Sequence, residues 1–185
     1  GAMTAAHSYA SLISFKRPEP AIDADEWLYG RAGYLHGGLL LRHVIGEEAV
    51  SLKVLDGIVE EILSNGEEQA AQADFDGPLM WKFMDAEYLG AAHGIMGIVH
   101  MLLHFDAVLD APRRRRQLAD TLNWLAKAQT PCGNWPSVRG AASSHLVHFC
   151  HGAPGATLLF CKAYEVLGDA RWLDVARTAG ECIWS

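Results

Sequence analysis

Hydrophobic and polar positions along the chain predict two kinds of helix. Residues 47–66, EEAVSLKVLDGIVEEILSNG, place Val50, Val54, Ile58 and Ile62 on one stripe and turn charged positions away from it. This pattern is typical of an amphipathic surface helix, and Asn65-Gly66 predicts its end. Residues 113–130 and 169–185 show similar amphipathic spacing, the second with Asp169 as its predicted N-cap.

The other kind of helix is apolar on nearly every side. Residues 92–109, AHGIMGIVHMLLHFDAVL, show this pattern, and residues 31–45 and 154–168 come close to it. A helix that is apolar all round is buried on most sides. Because strand patterns are scarce, the chain is predicted to be all-α, with about three pairs of an inner and an outer helix. Either an α/α toroid or an α-solenoid has this arrangement.

A Gly-x-x-Gly motif precedes the apolar stretch of each pair. It occurs at residues 30–33, 94–97 and 152–155, with offsets of 64 and 58 residues. Such a spacing marks a repeat architecture. Glycines at the start of the inner helices would let these corners pack closely, which favours the α/α toroid. The loops on that side, 66–91 and 130–150, are predicted to be long, and long loops on a rigid scaffold often carry function.

Composition limits the classes of function and the cellular compartment that we expect for this protein. The 185 residues carry a formal net charge of −7, which argues against a nucleic-acid surface. No apolar run approaches the ~20 residues that span a bilayer, and four widely spaced cysteines do not predict a disulfide framework. We therefore expect a cytoplasmic protein. Residues 1–3 look like the remnant of an expression tag, and residues 4–185 are predicted to form a single helical domain.

Histidines supply the first candidates for chemistry. His93, His100 and His104 are predicted to share one face of the helix over residues 92–109. His100 and His104 have the i, i+4 spacing of a helical metal pair, although hydrogen-bonded core histidines show the same spacing. His93 is distinct because it directly precedes the glycine corner at Gly94. It is therefore a candidate site residue.

Cys150 occupies a comparable place two residues before Gly152. Equivalent corners of a ring face the same end of it, so Cys150 and His93 could converge on one site. Thiolate sulfur and neutral imidazole are preferred zinc ligands. The alternative is that Cys150 is a small buried hydrophobic residue and that His151 is a local cap.

Four stretches resemble the lanthionine synthetase C-like proteins, and the eukaryotic branch in particular. They are LYGRAGYL at 28–35, PLMW with YLGAAHGIMGI within 78–98, GNWPS at 133–137 and LVHFCHGAPG at 146–155. The resemblance implies a double ring of seven inner and seven outer helices, with a catalytic zinc held by two cysteines and a histidine. It implies that Cys150 is the first cysteine ligand and that His93 is the acid–base residue.

The implied reaction is addition of the glutathione thiol to dehydroalanine or dehydrobutyrine residues of proteins. The family's other two ligands, a Cys-His pair, would follow one repeat beyond Ser185. We therefore expect this chain to be a part of the ring that lacks repeats at both ends, is zinc-poor and inactive by itself, and self-associates through uncovered helix faces. The alternative is a non-catalytic glutathione-binding or signalling scaffold. An α/α-toroid glycosidase or terpene cyclase would need an acid pair at the corners.

Overall fold

The computed structural model describes residues 25–142 and 145–185, and the regular secondary structure of this part is helical. Seven α-helices and one 3₁₀ helix, Glu47–Ala49, occur in this part of the chain. In chain order they are α1 (Arg31–Ile45), α2 (Leu52–Gln72), α3 (Ile95–Leu102), α4 (Asp106–Leu109), α5 (Pro112–Lys127), α6 (Ala153–Leu167) and α7 (Ala170–Trp184). Within these two described ranges, β-pairing is limited to two isolated bridges, one between Phe83 and Ala86 and one between Tyr88 and Val138. The prediction of an all-α fold is confirmed.

The helices form an inner and an outer layer. Inner helices α1, α3 and α6 pack side by side in that order, with α3 between the other two. Outer helix α2 packs on α1, and α7 packs on α6. One continuous hydrophobic core joins the layers. This is an arc of an α/α toroid, as the sequence pattern predicts.

Burial follows the two predicted kinds of helix. Every residue of α3 except His100 is buried, as expected for an inner helix. In α5 only Leu118, Thr121, Leu122 and Leu125 are buried, which is one stripe of an amphipathic helix. Asp169 caps α7 as predicted, since its Oδ1 accepts the backbone N–H of Arg171 at 3.0 Å.

The predicted end of the second helix at Asn65-Gly66 is wrong, because α2 continues to Gln72. Gly66 serves packing instead: a Cβ there would lie 2.5 Å from ring atoms of Trp81. The Trp81 indole N–H donates to the carbonyl of Ile62 at 2.9 Å, which holds the ring against this turn of the helix. The loop that was predicted to begin at residue 66 therefore begins after Gln72. The predicted stripe also shifts, since Val54 is 38% exposed and Leu55 takes its place in the core.

Residues 92–109 do not form one helix. Helix α3 begins at Ile95 and ends at Leu102, and α4 is a separate short helix. His93 therefore precedes α3 and His104 follows it, so the prediction that three histidines share one helix face is wrong. The chain breaks here because Phe105 adopts an extended conformation ahead of α4.

The two long loops lie against each other on the side where the inner helices begin. The backbone N–H of Leu89 donates to Ser137 O at 3.0 Å, and that of Arg139 donates to Glu87 O at 2.9 Å. The Arg139 guanidinium also pairs with the Glu87 carboxylate. None of the helices among the described residues is long and apolar enough to cross a membrane. A single domain over residues 4–185 stays a prediction, because residues 1–24 lie outside the described part.

Candidate functional site

The three Gly-x-x-Gly motifs build one recurring corner. The first glycine of each motif is the N-cap of its inner helix; these are Gly30, Gly94 and Gly152. At the second glycine, a Cβ would overlap with the carbonyl oxygen six residues earlier. The three glycine–carbonyl pairs are Gly33 with Trp27, Gly97 with Ala91 and Gly155 with Phe149. The motif is therefore a device for packing main chain against main chain.

Successive corners are in direct contact. The backbone N–H of Trp27 donates to Ala92 O at 3.0 Å, which joins the first corner to the second. A Cβ on Gly90 would overlap with the carbonyl of Cys150, and one on Gly155 would lie 2.7 Å from Cβ of Ala91. The structure thus brings the corner that carries His93 against the corner that carries Cys150.

His93 is held by a buried carboxylate. Its Nδ1 lies 2.8 Å from Oε2 of Glu26, whose side chain is only 2% exposed. Glu26 also accepts the backbone N–H groups of Leu28, at 2.8 Å, and of Tyr29. An ionised carboxylate can only accept, so Nδ1 carries the hydrogen and Nε2 remains for other chemistry. The His93 side chain is 21% exposed, so that chemistry is open to solvent.

Aromatic rings surround His93. The Phe83 ring is stacked on the imidazole, with centroids 4.4 Å apart and an interplanar angle of 5°. Tyr29 stacks at 6.1 Å, and Tyr88 lies tilted at 6.0 Å. Tyr29 is 75% exposed, so it forms an outer wall of the corner. These rings fix the imidazole plane and leave one edge accessible.

The third corner holds Cys150 and His151 side by side. Cys150 is a free, half-buried thiol. Nδ1 of His151 is buried without a hydrogen-bond partner among the described residues. Burial lowers the pKa of His151, and the positive charges that His93 and His148 can carry lower it further. The Tyr88 ring, 5.8 Å from that of His151, lies between the His93 and Cys150 corners.

Asn134 supplies the side-chain hydrogen bond at the start of α6, so the alternative in which His151 is a local cap is wrong. Buried Asn134 accepts the backbone N–H of Ala153 through Oδ1 at 2.9 Å. Its Nδ2 donates to the carbonyl of Leu146 at 3.0 Å. One amide therefore clamps both ends of the segment that carries Cys150. This gives the GNWPS stretch a structural role in placing the thiol.

His100 and His104 lie apart from these corners. Their rings are 4.9 Å apart, and Nδ1 of His104 bonds to the carbonyl of His100 at 2.8 Å. Burial, and then the charge of His104, lowers the pKa of His100 to about 4. No group of three His, Cys, Asp or Glu side chains suited to a metal ion occurs in residues 25–142 and 145–185. His100 is partly buried and His104 is exposed, which suits a hydrogen-bonded pair at the end of α3.

Sequence reasoning missed the acidic residues at the first corner. Asp25 and Glu26 are both 2% exposed. Asp25 accepts from Arg31 and from Asn65, each at 2.9 Å, and burial raises its pKa. The sequence signal that could have revealed them is the pair of adjacent acidic residues shortly before the first Gly-x-x-Gly motif. Each acid is committed to a different partner, so they do not form the facing pair that a glycosidase needs.

Comparison with known proteins gives a family profile and a relative that match this chain. A family profile described as lanthionine synthetase C-like protein matches residues 4–185. A glutathione S-transferase LANCL1 from Danio rerio is 33% identical over 162 residues, which cover 86% of this chain. The chain spans 40% of the length of that relative.

Proposed function

Because the chain belongs to the lanthionine synthetase C-like family, we propose that it forms part of an enzyme that adds glutathione to proteins. The acceptors would be dehydroalanine and dehydrobutyrine residues, whose β-carbon is attacked by the thiol sulfur. The name of the Danio rerio relative, a glutathione S-transferase, supports glutathione as the thiol. The observation that carries the proposal is the Glu26–His93 pair at the corner that packs against Cys150.

His93 has the properties that the proton transfers of this reaction require. Glu26 holds the hydrogen on Nδ1, so Nε2 can take a proton from the attacking thiol. The same proton then passes to the α-carbon of the enolate that forms. The hydrogen of the thiol thus ends on the product, and the new bond joins sulfur to the β-carbon. Glu26 stabilises the imidazolium that exists between the two transfers.

Cys150 is our proposed zinc ligand. The described residues do not hold a metal by themselves, since they contain no cluster of three suitable side chains. The fit is limited to one half-buried free thiol on a clamped segment, so the other ligands would come from outside the described residues. Zinc, when bound, would favour the thiolate form of a thiol. Asn134, through its clamp on residues 146–153, would set the position of that ligand.

Mass spectrometry of a dehydroalanine peptide incubated with glutathione tests the proposed reaction. In a longer protein that contains this chain and the remaining ring, His93→Asn should lower thioether formation by on the order of 10²- to 10⁴-fold. His104→Asn, a histidine outside the corners, is the matched control and should leave the rate unchanged. Equal rates in the two variants would contradict the role of His93.

Zinc content tests the part assigned to Cys150. The 185-residue chain alone should bind much less than one zinc and form no thioether, since its described residues supply one ligand. The longer protein should retain zinc and lose it in Cys150→Ala, as measured by elemental mass spectrometry. Stoichiometric zinc in the Cys150→Ala variant would remove Cys150 from the ligand set.

A glutathione-binding scaffold is the second candidate. Calorimetry separates the two functions: heat of glutathione binding without thioether product in the longer protein would indicate the scaffold.

A further inference from the structure

The loop that follows α5 makes a rigid turn with Cys132 at its tip. The backbone N–H of Gly133 donates to Thr130 O at 2.8 Å, and that of Thr130 donates to Asn134 O at 2.8 Å. Gly133 has a φ of 86°, a left-handed conformation that glycine adopts without strain. The side chain of Gln129 donates to Gly133 O at 3.1 Å and thereby braces the turn. The turn therefore holds Cys132 in a defined place.

This turn lies directly on helix α7. Gln129 also donates to the carbonyl of Val175 at 3.3 Å. A Cβ on Gly133 would overlap with the carbonyl of Thr178 and lie 3.1 Å from Cβ of Cys182. The Cys132 and Cys182 side chains are close enough for each to influence the pKa of the other. Two cysteines that are 50 positions apart in the sequence are thus neighbours.

We propose that Cys132 and Cys182 form a redox-active dithiol, which closes to an intramolecular disulfide on reaction with a low-molecular-weight disulfide such as oxidised glutathione. This site lies on the α5–α6 loop and α7. Neither cysteine takes part in the reaction proposed for His93 and Cys150. The prediction that the chain lacks a structural disulfide framework is compatible with a pair that opens and closes.

The closing reaction is two successive thiol–disulfide exchanges. The Cys132 thiolate attacks one sulfur of oxidised glutathione, whose S–S bond breaks and releases one glutathione thiolate. The Cys182 thiolate then attacks the sulfur of Cys132 in the mixed disulfide and releases the second glutathione. The protein loses two protons and two electrons, and oxidised glutathione gains both.

The surroundings of the two thiols set this order of attack. Cys132 is exposed, and the Thr130 hydroxyl oxygen lies 3.2 Å from its sulfur. Hydrogen bonds from Thr130 and from the backbone of Asn134 lower the pKa of Cys132, which increases the thiolate fraction. Burial raises the pKa of Cys182, which is half-buried. Cys132 therefore reacts first, and Cys182 resolves the mixed disulfide.

Peptide mass spectrometry after exposure to oxidised glutathione tests the proposal on the 185-residue chain. The parent protein should yield a Cys132–Cys182 linked peptide that is two hydrogens lighter than the reduced pair. Cys182→Ser should instead accumulate glutathione on Cys132, since no neighbouring thiol displaces it. Cys132→Ser should leave Cys182 largely unmodified.

Cys161→Ser is the matched control, because it removes an exposed thiol of α6 and should leave the linked peptide unchanged. Circular dichroism checks that each variant keeps its helices. Where a serine variant loses helix content, the corresponding Cys→Ala variant is used instead. A stable glutathione adduct on Cys132 in the parent, without the linked peptide, would overturn the proposal. So would reaction of Cys161 and Cys132 at equal rates.

Discussion

A carboxylate that accepts from a histidine determines which ring nitrogen carries the hydrogen, and Glu26 has this relation to His93. The two residues are 67 positions apart, and no local pattern connects them. The sequence predicts His93 as a site residue from its place beside a glycine corner. Its partner Glu26 can be identified only from the packing of the first corner against the second. Burial of Glu26 makes the pairing specific, since two backbone N–H groups fix its remaining acceptor positions.

Glu26→Gln should reverse the tautomer of His93. The amide would donate to Nδ1 and move the hydrogen to Nε2, where it blocks acceptance of the thiol proton. Nitrogen-15 NMR of the imidazole in the 185-residue chain should show this exchange, and thioether formation by the longer protein should fall by on the order of 10- to 100-fold. Glu61→Gln, at an exposed partner of Arg31, is the control. An unchanged imidazole spectrum would show that Glu26 does not set the tautomer.

His100 should make the stability of the chain depend on pH. Its pKa is about 4 in the fold against an ordinary 6.5, so between these values the unfolded chain binds more protons. The contribution of His100 to the free energy of unfolding should therefore reach its full value above pH 6.5. It should decrease as the pH falls towards 4, by at most ~1.4 kcal/mol per pH unit. The lowered pKa of His104 acts in the same direction.

Urea unfolding at a series of pH values measures this dependence, and His100→Gln should flatten it. The raised pKa of Asp25 has the opposite sign, because stability from that carboxyl is lost as pH rises through its folded value. The parent chain and His100→Gln share this contribution, so the difference between their slopes reports His100. A slope that is identical in His100→Gln would assign the effect to another group.

At the scale of elements, the corners depend on main-chain contact that side chains would prevent. Gly97→Ala should cost roughly 3 kcal/mol or more of stability, because the new methyl would overlap with the carbonyl of Ala91. Gly57→Ala is the matched control within helix α2, where a Cβ would meet nothing within 4 Å. It should stabilise the chain by about 0.5–1 kcal/mol. Thermal unfolding of both variants checks this, and equal melting temperatures would contradict it.

The elements that sequence reasoning predicted best are those set by one local pattern. Inner-helix starts, the layer of each helix and the Asp169 cap follow from glycine position, apolar period and cap chemistry. The end of α2 did not, because Gly66 was interpreted as a stop although its function is to admit the Trp81 ring. The break between α3 and α4 was also missed, since apolar positions continue across it. The first error arises because packing against a distant segment overrides the local preference, and the second because Phe105 adopts an extended conformation within an apolar run.

At the scale of the whole molecule, self-association through uncovered helix faces stays a prediction. Large apolar side chains are exposed at several helix positions, among them Val44 at 70%, Ile183 at 43% and Trp184 at 93%. Exposed apolar surface of this kind favours association with a second copy. Sedimentation velocity should show a mass that rises with concentration, and Trp184→Ser should lower that tendency. A monomer across the full range in the parent chain would contradict the prediction.

Because of the glycine–carbonyl contacts, selection for the fold of the corners can act separately from selection for their chemistry. The backbone there is held by main-chain atoms, and Cys150 contributes only its carbonyl to the contact with Gly90. Replacement of the thiol therefore removes a candidate metal ligand and leaves the corner intact. After gene duplication, a copy with a substitution at Cys150 would lose the proposed metal ligand and keep its fold. Among the descendants, the spacing of the glycines would outlast the chemistry.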